Sequence, residues 1–318
     1  MPLEPNLAAP PPLFARYFLA TRPAFLSVTF AAVALGLAGA LASGVTLQAT
    51  AALASLLFAL LAHAGVNVLN DYYDAKSGAD AANTERLYPY TGGSRFIQNG
   101  VLSLRATGLL GYALLAIVVV AGLWLTAQVG AGLIGIGLAG LFVGWAYSAP
   151  PLQLMSRGWG EFAVAAGWLL VVVGSDYVQR RDFSFVPIAC GTGYALLVAS
   201  LLYINQFPDR RGDAAASKGT LIVRLGPARA RWGYVLLIVA SYAWLIGMIA
   251  TDRLPLWSAV AGAAAPLHFA AARELLRHAG QPHLLATAIR LTIGGALAYG
   301  VLLAGALIFS GGISGVSS

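Results

Sequence analysis

VNVLNDYYDAKSGAD, residues Val66–Asp80, ends an apolar run in a burst of carboxylates. Asn70 and Asp74 lie four residues apart, so on a helix one stands above the other, and Asp71 stacks closely with Asn67 and Asp74. Ser77-Gly78 permits a turn that brings Asp80 back toward the same space. Three carboxylates and an amide at a helix end form a hard, anionic, oxygen-only cluster. Such ligands suit Mg²⁺, which keeps several waters and shares itself between one or two carboxylates and substrate phosphates.

A second stretch answers the first. Asn205–Lys218 reads NQFPDRRGDAAASK, and Asn205, Asp209 and Asp213 recur every four residues at the end of another apolar run. Asn70/Asp74 and Asn205/Asp209 share the N-x-x-x-D spacing. Two such clusters could clamp a diphosphate through two or more metal ions. Each alone reads equally well as a solvated helix end. Two of matching spacing on one apolar chain favour a shared site.

The 318 residues are 59% hydrophobic and only 10% charged, with a mean hydropathy of +0.77. A soluble domain carries about 25% charged residues, so the chain is a polytopic membrane protein. Its single cysteine, Cys190, excludes an intramolecular disulfide and a cysteine metal site. The net charge of +7 fits loops facing anionic lipid and an anionic substrate, with no nucleic acid implied. Residues 1–20, opening MPLEPNLAAPPPLFARYF, lack the basic start of a cleavable signal and read as a flexible or interfacial lead.

Runs of ~20 apolar residues cross a bilayer. The candidates are 24–43, 48–70, 105–127, 130–148, 160–178, 186–208, 231–251, 255–273 and 286–310. The expected fold is all-α: a transmembrane helical bundle of about nine spans, forming one domain over 1–318. With nine spans, only Arg180, Arg181 and Arg253 of the 19 Lys and Arg residues fall on the side away from the N-terminus. The positive-inside bias puts the N-terminal side, and both acidic clusters, in the cytoplasm. The polar segments 71–104 and 209–230 each follow a cluster and are expected to be cytoplasmic loops of the site. The likeness of the two acidic segments suggests a duplicated unit of roughly four spans around a central cavity.

Other residues carry weaker signals. Gly92-Gly93 followed by Arg95 offers exposed amides and a guanidinium to a phosphate, or is an ordinary turn. Lys218 reads as a phosphate contact or as the ion-pair partner of Asp213. Pro208 is expected to break or bend the sixth span. His63 reads chiefly as a polar contact between helices. Tyr147 suits an interfacial anchor. Glu161 is expected to pair with Arg157 or to cap its helix, and Asp176 to pair with Arg180. His268, His278 and His283 have no metal-like spacing.

On these residues the chain resembles the UbiA superfamily of intramembrane aromatic prenyltransferases, over nearly its whole length. NDYYDAKSGAD resembles the first Asp-rich motif of that family, and NQFPDRRGD with SKGTLIVRLG resembles the second and its tail. TRPAFL and YSAPPLQLMSRGWGE are also family-like, and TGGSR and GSDYVQ point toward the 1,4-dihydroxy-2-naphthoate prenyltransferase branch. Departures are Gly78 where many members place the last Asp of the first motif, Gln153 and Gly219 where basic residues are usual, and the NQFPD form of the second motif.

The resemblance implies Mg²⁺-dependent transfer of a prenyl group from a polyprenyl diphosphate to an aromatic acceptor, with membrane lipid around it and no obligate protein partner. It implies metal ligation by Asp71, Asp74, Asp80, Asp209 and Asp213, with Asp74 and Asp209 central to catalysis. Tyr147 is expected near the allylic cation, and Arg22, Asn70, Lys76, Arg95, Asn205 and Lys218 at the substrate. A bacterial inner membrane with the site on its cytoplasmic face is the implied setting. Other acceptors (4-hydroxybenzoate, homogentisate, a porphyrin-like ring) remain open. A secondary transporter is the rival class, since duplicated units and intramembrane carboxylates occur there too. The D-G-x-x-A-R pattern of phosphatidyl-type transferases is missing.

Overall fold

Hydrocarbon offers no water to backbone N–H and C=O groups, so an apolar chain must satisfy them within helices. The computed structural model describes residues 3–310, and the rest of the expected 1–318 domain lies outside the described residues. Every regular element among them is helical. α1 (Leu13–Ala20) precedes a 3-10 turn, Pro23–Leu26, that runs into α2 (Ser27–Ala42). There follow α3 (Ala49–Ser77), the one-turn α4 (Ala79–Ala82), α5 (Leu104–Val129), α6 (Gly132–Ser148) and α7 (Gly160–Arg180). The second half holds α8 (Val186–Ala215), the short α9 (Leu221–Leu225), α10 (Pro227–Ala250), α11 (Ala265–His278) and α12 (Ala286–Phe309).

Seven of these helices are long and apolar enough to cross a membrane. The shorter α6, and a 3-10 run Leu256–Ala264 continuous with α11, complete the expected number of about nine. The spans differ in what they face. In α8, 78% of the apolar window is buried inside the protein, against 17% in α5. α8 is therefore the axis of the bundle, while α5 turns Ile117, Val120, Leu123 and Trp124 outward to lipid.

Packing places α2 against α3, α7, α8 and α12, α3 against α5, α6 and α7, and α8 against α4, α7, α10 and α12. Lipid tails are as apolar as leucine, so close fit and hydrogen bonds hold such helices together. Tyr194 Oη donates to the Val28 carbonyl at 2.7 Å, and Tyr203 Oη to that of Ala230 at 2.7 Å. Ser241 Oγ donates to the Gly193 carbonyl at 2.7 Å, and Trp244 Nε1 to that of Ala189 at 2.9 Å.

Polar contacts also define the two ends of the bundle. At one end Gln179 accepts from the Gln48 backbone at 2.7 Å, and Arg180 clamps Asp176 at 2.7 and 2.8 Å, as expected for that pair. At the other end Gln206 Nε2 donates to Glu161 Oε1 at 2.6 Å, and Asn70 Nδ2 to Ser148 Oγ at 3.1 Å. The C-terminal ends of α3, α6 and α8 and the start of α7 thus share one side.

Two expectations need correction here. Of the two roles expected of Glu161, the pairing with Arg157 fails: Glu161 stands in the first turn of α7 and takes Gln206 as its side-chain partner, while Arg157 donates to the Pro151 carbonyl at 2.9 Å. Pro208 does not break its helix: α8 continues to Ala215. Proline removes its own donor and crowds the carbonyl one turn earlier, a local cost, and α4 packs along the end of α8.

Candidate active site

Helical spacing lays Asn67, Asn70 and Asp74 along one strip of α3. Asn70 Nδ2 donates to Asp74 Oδ2 at 3.2 Å, so the amide orients the carboxylate. Asp71 is buried beside it and accepts from the Ser94 backbone N–H at 3.0 Å. Gly78, with φ +80°, ends α3 in a left-handed turn that few other residues tolerate. The chain then doubles back, and α4 carries Asp80 to the same place.

The TGGSR segment closes over these carboxylates. A Cβ on Gly93 would lie 2.5 Å from Asp80 Oδ2 and 3.1 Å from Asp71 Oδ1, so backbone approaches where no side chain fits. Gln98 Nε2 donates to Asp80 Oδ2 at 3.1 Å, and Arg95 Nη1 to the Asp80 carbonyl at 2.6 Å. Burial first, then the nearby charges of Asp74 and Asp71, push the Asp80 carboxyl well above the usual carboxylate range.

α8 supplies the opposite wall. Asp209 Oδ1 accepts from Asn83 Nδ2 at 2.5 Å, which ties α8 to α4. Beyond α8, Ser217 adopts φ +58°, and the Lys218 backbone N–H donates to the Asp213 carbonyl at 2.9 Å. The Lys218 side chain thereby folds back between the helices. Its Nζ lies 2.8 Å from Asp74 Oδ1 and 3.4 Å from Asp213 Oδ1. Burial opposes the Lys218 charge, but Asp74 and Asp213 outweigh it and hold its pKa above the ordinary lysine value.

Asn70, Asp74, Asp80, Asn205, Asp209 and Asp213 line one cavity of about 150 Å³, together with Arg22 and Tyr147. The two acidic helix ends therefore converge. Arg22 Nη2 and, at 3.5 Å, Asn205 Nδ2 share the Tyr90 carbonyl as acceptor. Asp71 and Arg95 sit directly behind the lining, and Arg95 also lies 3.8 Å from Glu4. Lys76 is not brought to the cavity. It is exposed and lies over the Tyr72 ring at 5.4 Å. Two residues past Asp74, a helix has turned about 200°, which points Lys76 away.

Four buried oxygens at this site have no donor: Asp71 Oδ1, Asp213 Oδ2, Asn83 Oδ1 and Asn205 Oδ1. Uncompensated buried acceptors are costly, and a hard cation satisfies them. Among the described residues no three Asp, Glu, His or Cys side chains already form a ligand cage.

A collar of His63, Val66, Asn67, Tyr147, Val164 and Trp168 joins this cavity to an apolar one of about 260 Å³. His63 is held there by Thr29 Oγ1 at 2.9 Å and by the edge-on ring of Trp168, the interhelical contact expected of it. The apolar space continues past Ala59, Ile136, Gly140 and Leu170 into a further cavity of about 260 Å³ lined by Phe58, Leu115 and Val178. A polar chamber at one end of the bundle thus opens into a long greasy passage among α3, α5, α6 and α7. A carrier's polar site belongs near the bilayer midplane, whereas both acidic groups here occupy one end.

Sequence reasoning missed Asn83, the Tyr90 carbonyl and Glu4. Glu4 accepts from Arg86 at 2.7 Å and from Asn99 at 3.2 Å, pinning the N-terminal segment over the TGGSR loop. Asn83 lies one helical turn after Asp80, the only local signal it gives. The Tyr90 carbonyl, a backbone group, gives none.

The profile of the UbiA prenyltransferase family matches residues 25–286. The chain is 32% identical over 302 residues to the 1,4-dihydroxy-2-naphthoate octaprenyltransferase of Mycobacterium tuberculosis, covering 91% of this chain and 99% of that one. To the enzyme of the same name from Escherichia coli it is 29% identical over 284 residues, covering 87% and 89%. A solved structure of a UbiA homolog from Archaeoglobus fulgidus bound to GPP and Mg²⁺ shares the fold, with a TM-score of 0.63 at 18% identity over 91% of this chain and 99% of that one.

Proposed function

This chain belongs to the UbiA prenyltransferase family, and from that membership we propose that it transfers a polyprenyl group from its allylic diphosphate to 1,4-dihydroxy-2-naphthoate, with Mg²⁺, on the cytoplasmic face of a bacterial inner membrane. That it is an integral membrane aromatic prenyltransferase follows from the family and the named relatives. The observation that carries the finer reading is the convergence of two acidic helix ends on one chamber that continues into an apolar passage. The charge bias of the loops supports the cytoplasmic side, and the names of the relatives support the naphthoate acceptor.

In this reading Asp74, Asp80, Asp209 and Asp213, which line the chamber, would hold the metal, with Asp71 directly behind them. When bound, Mg²⁺ supplies the positive charge that lets a diphosphate sit among carboxylates and leave as the allylic C–O bond breaks. Asn70 and Asn83 orient Asp74 and Asp209. Lys218 and Arg22 offer donors to the departing diphosphate oxygens. Arg95 acts one layer back, by fixing the Asp80 backbone. Tyr147, in the collar, presents an aromatic face where the allylic carbon becomes positive. The apolar passage takes the prenyl tail and keeps water from the cation. The acceptor ring carbon then bonds to the allylic carbon, and for a naphthoate the carboxylate leaves as CO₂.

The test is incubation of purified protein in lipid with a labelled allylic diphosphate and a panel of aromatic acids. Prenylated, decarboxylated naphthoate as the dominant product is expected. Preference for 4-hydroxybenzoate or homogentisate replaces the acceptor assignment. Asp74→Ala and Asp209→Ala are each expected to lower transfer at least a hundredfold without loss of membrane insertion.

A further inference from the structure

We infer that Lys218 is a resident cation that competes with the metal for Asp74 and Asp213, and that it makes metal binding depend on the diphosphate. The inference rests on the diphosphate reading above. Lys218 Nζ lies 2.8 Å from Asp74 Oδ1 and 3.4 Å from Asp213 Oδ1, one carboxylate from each acidic helix end. The remaining oxygens differ: Asp74 Oδ2 accepts from Asn70, and Asp213 Oδ2 has no donor. A divalent ion joining Asp74 to Asp213 shares both carboxylates with the ammonium, even where it enters through the free Asp213 Oδ2. An ammonium and a divalent cation cannot share one carboxylate without strong repulsion at such distances.

The geometry also shows how the site changes hands. The backbone of this segment is pinned, since Lys218 N–H donates to Asp213 O at 2.9 Å and Gly219 N–H to Ser156 O at 2.7 Å. Any change of partner therefore falls to the four-carbon side chain, which ends in a compact charge with three rotatable donors. Its side chain is 4% exposed, so water offers it little in exchange for the carboxylates. A diphosphate oxygen does offer an exchange. Metal alone must evict the ammonium into an unfavourable place, whereas metal arriving with a diphosphate supplies a new anion for it. Lys218 thereby suppresses metal loading in the absence of the prenyl substrate and rewards joint loading.

The test uses full-length protein in lipid nanodiscs and Mn²⁺ as a paramagnetic probe, titrated with and without a non-reactive prenyl thiolodiphosphate. Wild type is expected to bind Mn²⁺ alone weakly and at least tenfold more tightly with the analogue. Lys218→Met is expected to bind Mn²⁺ alone at least tenfold more tightly than wild type and to gain less from the analogue. Lys218→Arg, which keeps the charge, is expected to stay within threefold of wild type for Mn²⁺ alone. If thermal melting shows the Met variant misfolded, Lys218→Gln repeats the measurement with a polar, uncharged side chain. Equal Mn²⁺-alone affinity in wild type and the uncharged variants overturns the inference. Failure of wild type to bind Mn²⁺ even with the analogue overturns the diphosphate reading itself, and the inference with it.

Discussion

The Asn83 side chain donates a hydrogen bond to Asp209 across 126 positions of sequence, joining the short helix that carries Asp80 to the second acidic helix. This amide ties the two halves of the site together beside the Lys218 bridge between Asp74 and Asp213. A hydrogen bond to a charged acceptor contributes about 1.5–3 kcal/mol. Asn83→Ala is expected to lower kcat/KM for the diphosphate about tenfold or more on that scale, with the protein still folded. Steady-state kinetics at saturating acceptor, beside a melting curve, checks this. Unchanged kinetics shows that Asp209 needs no such tether.

Gly93 is a sharper case. Its φ of +74° is in the left-handed region, and a Cβ there would lie 2.5 Å from Asp80 Oδ2. Left-handed backbone costs a non-glycine residue about 1–2 kcal/mol, and relief of the contact must push Asp80 away. Gly93→Ala is expected to lower transfer about a hundredfold, a barrier increase of about 2.7 kcal/mol. Gly92→Ala carries the same left-handed strain, φ +75°, and meets Arg86 Cβ at 2.7 Å, but it presses on no carboxylate and is expected to cost less. Comparable activities in the two variants contradict the role given to Asp80.

Much of this site was legible from spacing alone. N-x-x-x-D places an amide over a carboxylate on any helix, and Asn70 and Asp74 do meet. Two apolar runs ending in that pattern forecast a shared chamber, and Lys218 touches both ends of it. Helical phase could have excluded Lys76, which points away from Asp74 for the reason its position on the turn dictates. Pro208 leaves α8 unbroken because a single proline costs the helix one hydrogen bond and a local clash, not its continuation. Nothing local marks Glu4 as the partner of Arg86, or Gln206 as the partner of Glu161. Such pairs depend on which helix faces which, and hydropathy does not carry that information.

The buried Asp80 carboxyl holds its proton to higher pH than an ordinary Asp, because burial and then the neighbouring Asp74 and Asp71 charges disfavour ionisation. The folded protein thus binds more protons than the unfolded chain above a pH of about 4, the ordinary Asp pKa. Stability from this group is present below that value and declines as pH rises through the elevated one. Without divalent metal, Tm is expected to fall as pH is raised across this window, less so in Asp80→Asn. Metal ligation needs the carboxylate, so divalent binding with the diphosphate analogue is expected to release protons. Calorimetry in two buffers of different ionisation enthalpy detects the release, and identical heats contradict it.

Gly140 lines both apolar cavities, and a Cβ at this position meets nothing within 4 Å. Leucine there fits the helix, which glycine weakens by about 1 kcal/mol relative to alanine, and its branches intrude on the passage. If the passage receives the prenyl tail, Gly140→Leu acts on chain length and leaves the chemistry alone. Pocket contacts of methylene size discriminate by about 1–3 kcal/mol. With a homologous series of allylic diphosphates, the variant is expected to lose about tenfold in kcat/KM for long tails on that scale, while short tails remain near wild type. The ratio of the two is the informative quantity, because a general folding defect lowers both alike. An unchanged ratio places the tail outside this passage and leaves it as packing space open to lipid.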